Sequence, residues 1–180
     1  MQSLRGQLLV AGPALFDPNF RRTVVLVGEH GEEGAMGVVL NRPSPFPVDE
    51  AVPPLSSLGG GDGLVYVGGP VQPDAVVVLA ELDVPDQAAA LVFDSVGFLP
   101  GDVDTDALAD LGRARVYAGY AGWGPGQLEG ELAESSWIVE PAEADDVFTD
   151  EPGELWSRIL RRKGGAFEVL ALMPDDPRLN

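Results

Sequence analysis

Thr23-Val24-Val25-Leu26-Val27-Gly28-Glu29-His30-Gly31-Glu32-Glu33-Gly34-Ala35-Met36-Gly37-Val38-Val39-Leu40 is the stretch that decides the fold class. Thr23 to Val27 is continuous and rich in β-branched residues, the pattern of a buried strand. His30-Gly31-Glu32-Glu33-Gly34 supplies a polar turn, and Met36 to Leu40 returns as a second apolar strand. Asn41-Arg42-Pro43 stops it, because proline removes a backbone donor and restricts the residue before it. The segment is therefore expected to be a β-hairpin.

The same pattern extends outward. Gln7 to Ala11 reads as a strand ending at Gly12-Pro13, and Leu15 to Phe20 as a turn in which Asp17-Pro18 disfavours helix. Ser44 to Gly63, rich in Pro, Gly and Ser, is expected as loop with one helical turn at Val48 to Ala51. Leu64 to Val67 and Ala75 to Leu79 are strands joined through Gly68-Gly69-Pro70-Val71, and Ala88 to Phe93 is another. A short helix fits Thr105 to Leu111, with Asp104 as cap and Gly112 as stop. Arg115 to Ala118 is a strand, Gly119 to Gly126 a glycine-rich loop, and Gln127 to Glu134 a helix. Trp137 to Val139 is a strand and Glu143 to Phe148 a helical turn or two.

The clearest helix starts near Pro152 and ends at Gly164-Gly165, with Trp156, Ile159 and Leu160 as its apolar stripe. Glu151 and Glu154 lie in its first turn and Arg161, Arg162 and Lys163 in its last, where the helix dipole favours each sign. Phe167 to Met173 is expected to close the fold as a strand. Strands dominate and do not alternate regularly with helices. This argues for one α+β domain over residues 1–180, with a mixed, largely antiparallel sheet and short flanking helices.

Charge bounds the function. The formal net charge is −18, from 11 basic and 29 acidic residues. Such a surface repels a polyanion, so direct nucleic-acid binding is not expected. There is no cysteine, which excludes disulfides, thiolate nucleophiles and zinc–thiolate sites. No apolar run reaches the roughly 18 residues that span a bilayer. With no signal-peptide pattern at Met1 to Gly6, a cytoplasmic protein without membrane contact is expected. Only two basic clusters occur, Arg21-Arg22 and Arg161-Arg162-Lys163, and helix-end capping accounts for the second.

The motifs exclude several chemistries in turn. Gly119-Tyr120-Ala121-Gly122-Trp123-Gly124-Pro125-Gly126 has the context of a phosphate cradle but the wrong spacing. Gln127 and Glu129 stand where dinucleotide loops need glycine, and Pro125 where a phosphate loop needs lysine. A tight structural turn is the simpler reading. His30 is the only histidine, and His30-x-x-Glu33 on a turn makes no zinc site. Asp102-x-Asp104-x-Asp106 begins like a calcium loop, yet Ala107 and Arg113 occupy its glycine and closing-glutamate positions. No metal or cofactor is expected. No Gly-x-Ser-x-Gly elbow occurs, and no catalytic residue is assigned.

Several motifs recur together in one order. They are Gly6-x-Leu8-Leu9-x-Ala11; Asp17-Pro18-x-Phe20-x-Arg22-Thr23-Val24-Val25-Leu26; Glu29-His30; Gly34-Ala35-Met36-Gly37-x-x-Leu40-Asn41-Arg42-Pro43; and Tyr66-x-Gly68-Gly69-Pro70-Val71. Gly119 to Gly126 followed by Gln127-Leu128-Glu129-x-Glu131-Leu132 comes next, then Trp137, Val147-Phe148 and Leu155-Trp156. Over nearly its whole length the chain resembles the YqgE/AlgH family of bacterial proteins. The resemblance implies a bifurcated sheet forming a pseudo-barrel flanked by helices. Some members carry a label as transcriptional regulators connected with alginate production, and the resemblance brings no established catalytic residue. This chain departs from the pattern in its acidity and at Ala80-Glu81, where members often show a histidine.

The polar, aromatic and turn residues of these loops form the expected binding surface: Asp17, Arg22, His30, Asn41, Arg42, Gly69, Pro70, Tyr120, Trp123 and Gln127. Such residues on a rigid sheet are how binding sites are usually built. The primary expectation is a non-enzymatic binding or regulatory protein with a protein or small-molecule partner, its oligomeric state left open. The alternative is a hydrolase with Glu29, His30 and Asn41 converging around a water. A direct DNA-binding regulator comes third.

Overall fold

The computed structural model describes residues 2–58, 61–100 and 111–175. Its strands are β1 (Gln7–Ala11), β2 (Val24–Gly31), β3 (Gly34–Val39), β4 (Pro43–Pro47), β5 (Leu64–Val67), β6 (Val71–Leu82), β7 (Ala90–Phe93), β8 (Val96–Phe98), β9 (Leu111–Trp123) and β10 (Trp137–Pro141). The helices are α1 (Val48–Ala51), α2 (Gln127–Ala133), α3 (Ala144–Val147), α4 (Leu155–Lys163) and α5 (Ala166–Leu170). The fold is α+β, as the strand-dominated sequence implied.

The ten described strands form one sheet in the order β10-β1-β2-β3-β9-β6-β8-β7, with β4 on β5 and β5 on β9. All pairings are antiparallel except β5 with β9. The sheet does not close into a barrel; its path ends at β10 and β7. It forks instead. β6 follows one edge of β9, from Leu111 to Tyr120. The other edge is shared by β5, at Tyr117 and Ala118, and by β3, at Ala121 to Trp123. The Val39 N–H donates to the Gly68 carbonyl at 2.8 Å and stitches the two arms together.

Glycine is what allows the fork. A Cβ at Gly69, whose φ is +153°, would lie 2.2 Å from the Tyr120 carbonyl, and one at Gly119, φ +74°, 2.4 Å from the Gly69 oxygen. Only hydrogen fits where two main chains cross this closely.

β1 and β2 read as unbroken apolar runs because both faces of the sheet are covered. Leu8, Val10, Val24 and Leu26 pack with Leu155, Trp156, Ile159 and Leu160 of α4. Leu9, Val25 and Val27 pack on the opposite face with Trp123, Leu128 and Trp137. A third cluster joins Val48, Leu55 and Leu58 to Val78, Ala80 and Val116.

Several local expectations are corrected. Pro43–Pro47 is a strand rather than loop, while the helical turn at Val48–Ala51 is present. Val96–Phe98 adds a strand, pairing with both β6 and β7. Gly119 to Trp123 belongs to β9 and is not loop, leaving only Gly124–Gly126 as the turn into α2. Residues from Phe167 form helix α5 rather than a closing strand. Gly164 and Gly165, with φ +81° and +61°, reverse the chain. Phe167, Leu170 and Ala171 then meet the core at the 3,4 spacing of a helix, which a short apolar run does not distinguish from a strand. The helix expected at Thr105 to Leu111 and the Asp102–Asp106 motif fall on residues 101–110, outside the described residues; Leu111 itself opens β9.

The basic end of α4 does more than complement a dipole. Arg162 donates to both Asp146 carboxylate oxygens at 2.9 Å and to Glu143 at 3.0 Å, while Lys163 donates to the Val139 carbonyl at 3.0 Å. These bonds tie α4 to α3 and β10. Among the described residues no helix is long and apolar enough to cross a membrane.

Candidate functional site

The expected site residues fall into three places. Asp17, Arg22, Asn41 and Arg42 come together at one end of the β2–β3 hairpin. His30, Trp123 and Gln127 lie near its tip. Gly69, Pro70 and Tyr120 stand at the fork, where Tyr120 pairs with Val71 and Gly69 and Pro70 border a small cavity with Asn19 and Arg42.

The first group is built on the loop entering β2. The Asp17 carboxylate accepts the Asn19 N–H at 2.9 Å, and its carbonyl accepts the N–H groups of Phe20 and Arg21. This tight turn brings the chain to Arg22, which sits in the left-handed region at φ +57°. A non-glycine residue there costs of order 1 kcal/mol and needs external support. Asn41 provides it: its amide donates to the Arg22 carbonyl at 2.9 Å, while its oxygen accepts the Val24 N–H at 3.0 Å. Arg42 braces the same loop by donating to the Pro18 and Arg21 carbonyls at 2.7 and 2.8 Å. Asp17, Asn41 and Arg42 therefore hold the loop, and Arg22 is the residue they present.

Arg22 lies over the Trp156 ring, 4.0 Å from its centroid. Partial burial lowers the pKa of Arg22 despite its contact with Asp175. The same desolvation lowers that of Arg42, opposed by Asp17. Both remain cations at any ordinary pH. With Arg21, Phe16, Pro18, Pro152, Gly153 and Asp175, they line a cleft of about 580 Å³. An adjoining pocket is more apolar, lined by Leu15, Phe16, Trp156 and Met173.

The cleft is a cationic recess on a strongly anionic chain, and a carboxylate already lies in it. Arg21 Nη1 donates to Asp175 Oδ1 at 2.9 Å and Nη2 to the Asp175 carbonyl; Arg22 Nη1 donates to the Met173 carbonyl at 3.0 Å. The arrangement can bind anions. Arg21, Trp156 and Asp175 were absent from the expected set. The doublet Arg21-Arg22 signalled the first; Trp156 read as helix stripe, and nothing local marked Asp175.

At the hairpin tip, the His30 side chain is only 2 % exposed. Nδ1 accepts the Leu4 N–H at 3.0 Å, so Nε2 carries the proton and donates to Glu129 at 2.6 Å. Both ring nitrogens are committed. Hydrogen bonding by His30, together with a backbone donor, lowers the Glu129 pKa. Trp123 and Trp137 each donate an indole N–H to Glu131, at 3.2 and 3.0 Å, and Gln127 accepts the Gly124 N–H at 3.0 Å. Phe20 packs edge-on against Trp137 at 5.8 Å. These contacts pin α2 to the sheet.

The convergence of Glu29, His30 and Asn41 required by the hydrolase alternative is not there. Asn41 bonds the residue that opens β2, and His30 lies six residues further along that strand, about 20 Å away. Glu29 is exposed beside a register shift. Among the described residues no group of three or more His, Cys, Asp or Glu could hold a metal ion.

The lowered Glu129 pKa carries a sign. A carboxylate depressed in the folded state stabilises above its ordinary value of about 4.5, and that contribution disappears as pH falls through the folded value. Glu129→Ala is therefore expected to be less stable than the parent near neutral pH, the gap narrowing below about pH 4.5. Urea unfolding across a pH series measures this; a gap that widens on acidification contradicts it.

A family model described as AlgH-like matches residues 8–168. The chain is 46 % identical over 187 residues to the UPF0301 protein SCO2948 of Streptomyces coelicolor, covering 100 % of this chain and 97 % of that protein. It is 41 % identical over 182 residues to the UPF0301 protein CT0663 of Chlorobaculum tepidum, covering 97 % and 95 %. The crystal structure of protein DIP2367 from Corynebacterium diphtheriae superposes with a TM-score of 0.85 at 26 % identity, over 95 % of this chain and 92 % of that one. The solution structure of the AlgH protein from Pseudomonas aeruginosa gives 0.73 at 32 % identity, over 96 % and 95 %.

Proposed function

The chain belongs to the AlgH-like family, and on that footing we propose that it is a non-enzymatic cytoplasmic binding or regulatory protein that meets an anionic partner at the Arg21–Arg22 cleft. One observation carries this reading. A left-handed arginine, supported by Asn41 and backed by Trp156, faces a recess in which a second arginine, Arg21, already holds the exposed Asp175 carboxylate. Strain at a non-glycine residue is kept where the surrounding structure over-determines it, and such places cluster at ligand sites. Arginine's planar fork suits carboxylates in particular. The surrounding negative charge disfavours long polyanions and leaves small or peptide-borne anions as the fitting partners.

Titrating the ¹⁵N-labelled chain with succinate and with tri-glutamate, followed by NMR, tests the reading. Saturable shifts confined to residues 16–22, 41–42 and 153–156 are expected, and they should vanish in Arg21→Ala/Arg22→Ala. Shifts scattered over the surface, or unchanged in that double variant, would sink the proposal.

A further inference from the structure

We infer that the cleft receives an acidic peptide segment in extended form, with Met173–Asp175 of the chain itself as resident and displaceable occupant. This deepens the binding role proposed for the same cleft. The contacts identify the class of ligand. Arg21 takes the Asp175 carboxylate and also its main-chain carbonyl, while Arg22 takes the carbonyl of Met173, two residues earlier. Arg22 Nε lies a further 3.5 Å from the Asp175 carboxylate. Two main-chain carbonyls and one acidic side chain on a three-residue segment form a peptide's pattern of acceptors, which a free phosphate lacks. Pro174 between them fixes its own φ and restricts Met173 to extended conformations.

The contact is also replaceable. Asp175 is exposed and Met173 lies at the edge of exposure, so the ion pairs form in water, where such pairs are weak. A segment with the same acceptors forms the same bonds in trans and competes only against the tether, an effective concentration in the millimolar range. Phe16, 64 % exposed beside the cleft, offers apolar cover to side chains flanking the acidic residue.

The probe is a fluorescein-labelled hexapeptide copying residues 171–176, Ala-Leu-Met-Pro-Asp-Asp, read by fluorescence polarisation against the full chain. Asp175→Ala in the full chain vacates the carboxylate contact on an exposed residue, and circular dichroism confirms that it folds. It is expected to bind the probe about fivefold tighter than the parent does, since a larger share of molecules present an open cleft. Arg21→Ala/Arg22→Ala should lose at least about tenfold. The unlabelled peptide with both aspartates changed to asparagine, and inorganic phosphate at matched ionic strength, should not displace the probe.

Equal affinity of parent and Asp175→Ala, with dependence on the arginines retained, overturns the tail as occupant while leaving the cleft a binding site. Displacement by phosphate as effective as by the acidic peptide overturns the peptide assignment. Probe, succinate and tri-glutamate all failing to bind even Asp175→Ala removes the underlying function as well.

Discussion

Gly69→Ala is expected to lower stability by about 3–5 kcal/mol, the combined cost of a backbone conformation reserved for glycine and of forcing an atom into a filled space. The added Cβ would meet the Tyr120 carbonyl carbon and oxygen at 2.2 Å, and both belong to main chain that cannot rotate away. In a chain of this length the melting temperature should fall by roughly 10 °C or more. Gly126→Ala is the control. Its φ is +76°, with nothing within 4 Å of an added Cβ, so it pays the conformational cost alone, about 1 kcal/mol. Thermal unfolding of the two variants separates crowding at the fork from strain. A Gly69→Ala protein as stable as the Gly126→Ala protein would refute the close crossing of β9 with the β5–β6 link.

Trp156→Ala should be of similar size, about 3–5 kcal/mol. The side chain is 3 % exposed at the centre of the α4 interface, and its indole donates to the Ala11 carbonyl at 2.9 Å. It also supports Arg22, so truncation should weaken tri-glutamate binding along with stability. Trp156→Phe keeps most of the packing and an aromatic face but loses the donor, and should cost only about 1 kcal/mol. Chemical denaturation with a parallel binding titration reads both effects. A Phe variant as unstable as the Ala variant would move the weight from ring packing to the single hydrogen bond.

The hairpin from Thr23 to Leu40 was legible because continuous β-branched runs around a polar turn admit few other readings, and the same holds for Gln7–Ala11 and Leu64–Val67. What escaped was set by distant partners. Pro43–Pro47 carries three prolines and looks like loop, yet it is an edge strand, where proline is tolerated. Gly119 looks like a loop residue for the reason that makes it a strand residue here: it lets β9 pass another main chain.

The site was half legible for the same reason. Polar loop residues marked Asp17, Arg22, Asn41 and Arg42, but composition cannot tell an arginine that braces a loop, such as Arg42, from one that lies over a buried ring and lines the cleft, such as Arg22. That depends on which carbonyls lie within reach. Asp175, more than 150 positions from its arginines, belongs to no local pattern at all. His30 illustrates the converse: a lone histidine invites a chemical role, and both its nitrogens are spent on holding Leu4 and α2 in place.

The fork at β9 has a consequence for biosynthesis. β3 and β5 both depend on a strand that ends at Trp123, so neither can complete its pairing until about two-thirds of the chain has been translated. Until then the emerging polypeptide carries open, apolar β-rich segments, the state most prone to self-association. Synthesis of the stretch before Trp123 is therefore a stage at which chaperone protection is expected to help this fold.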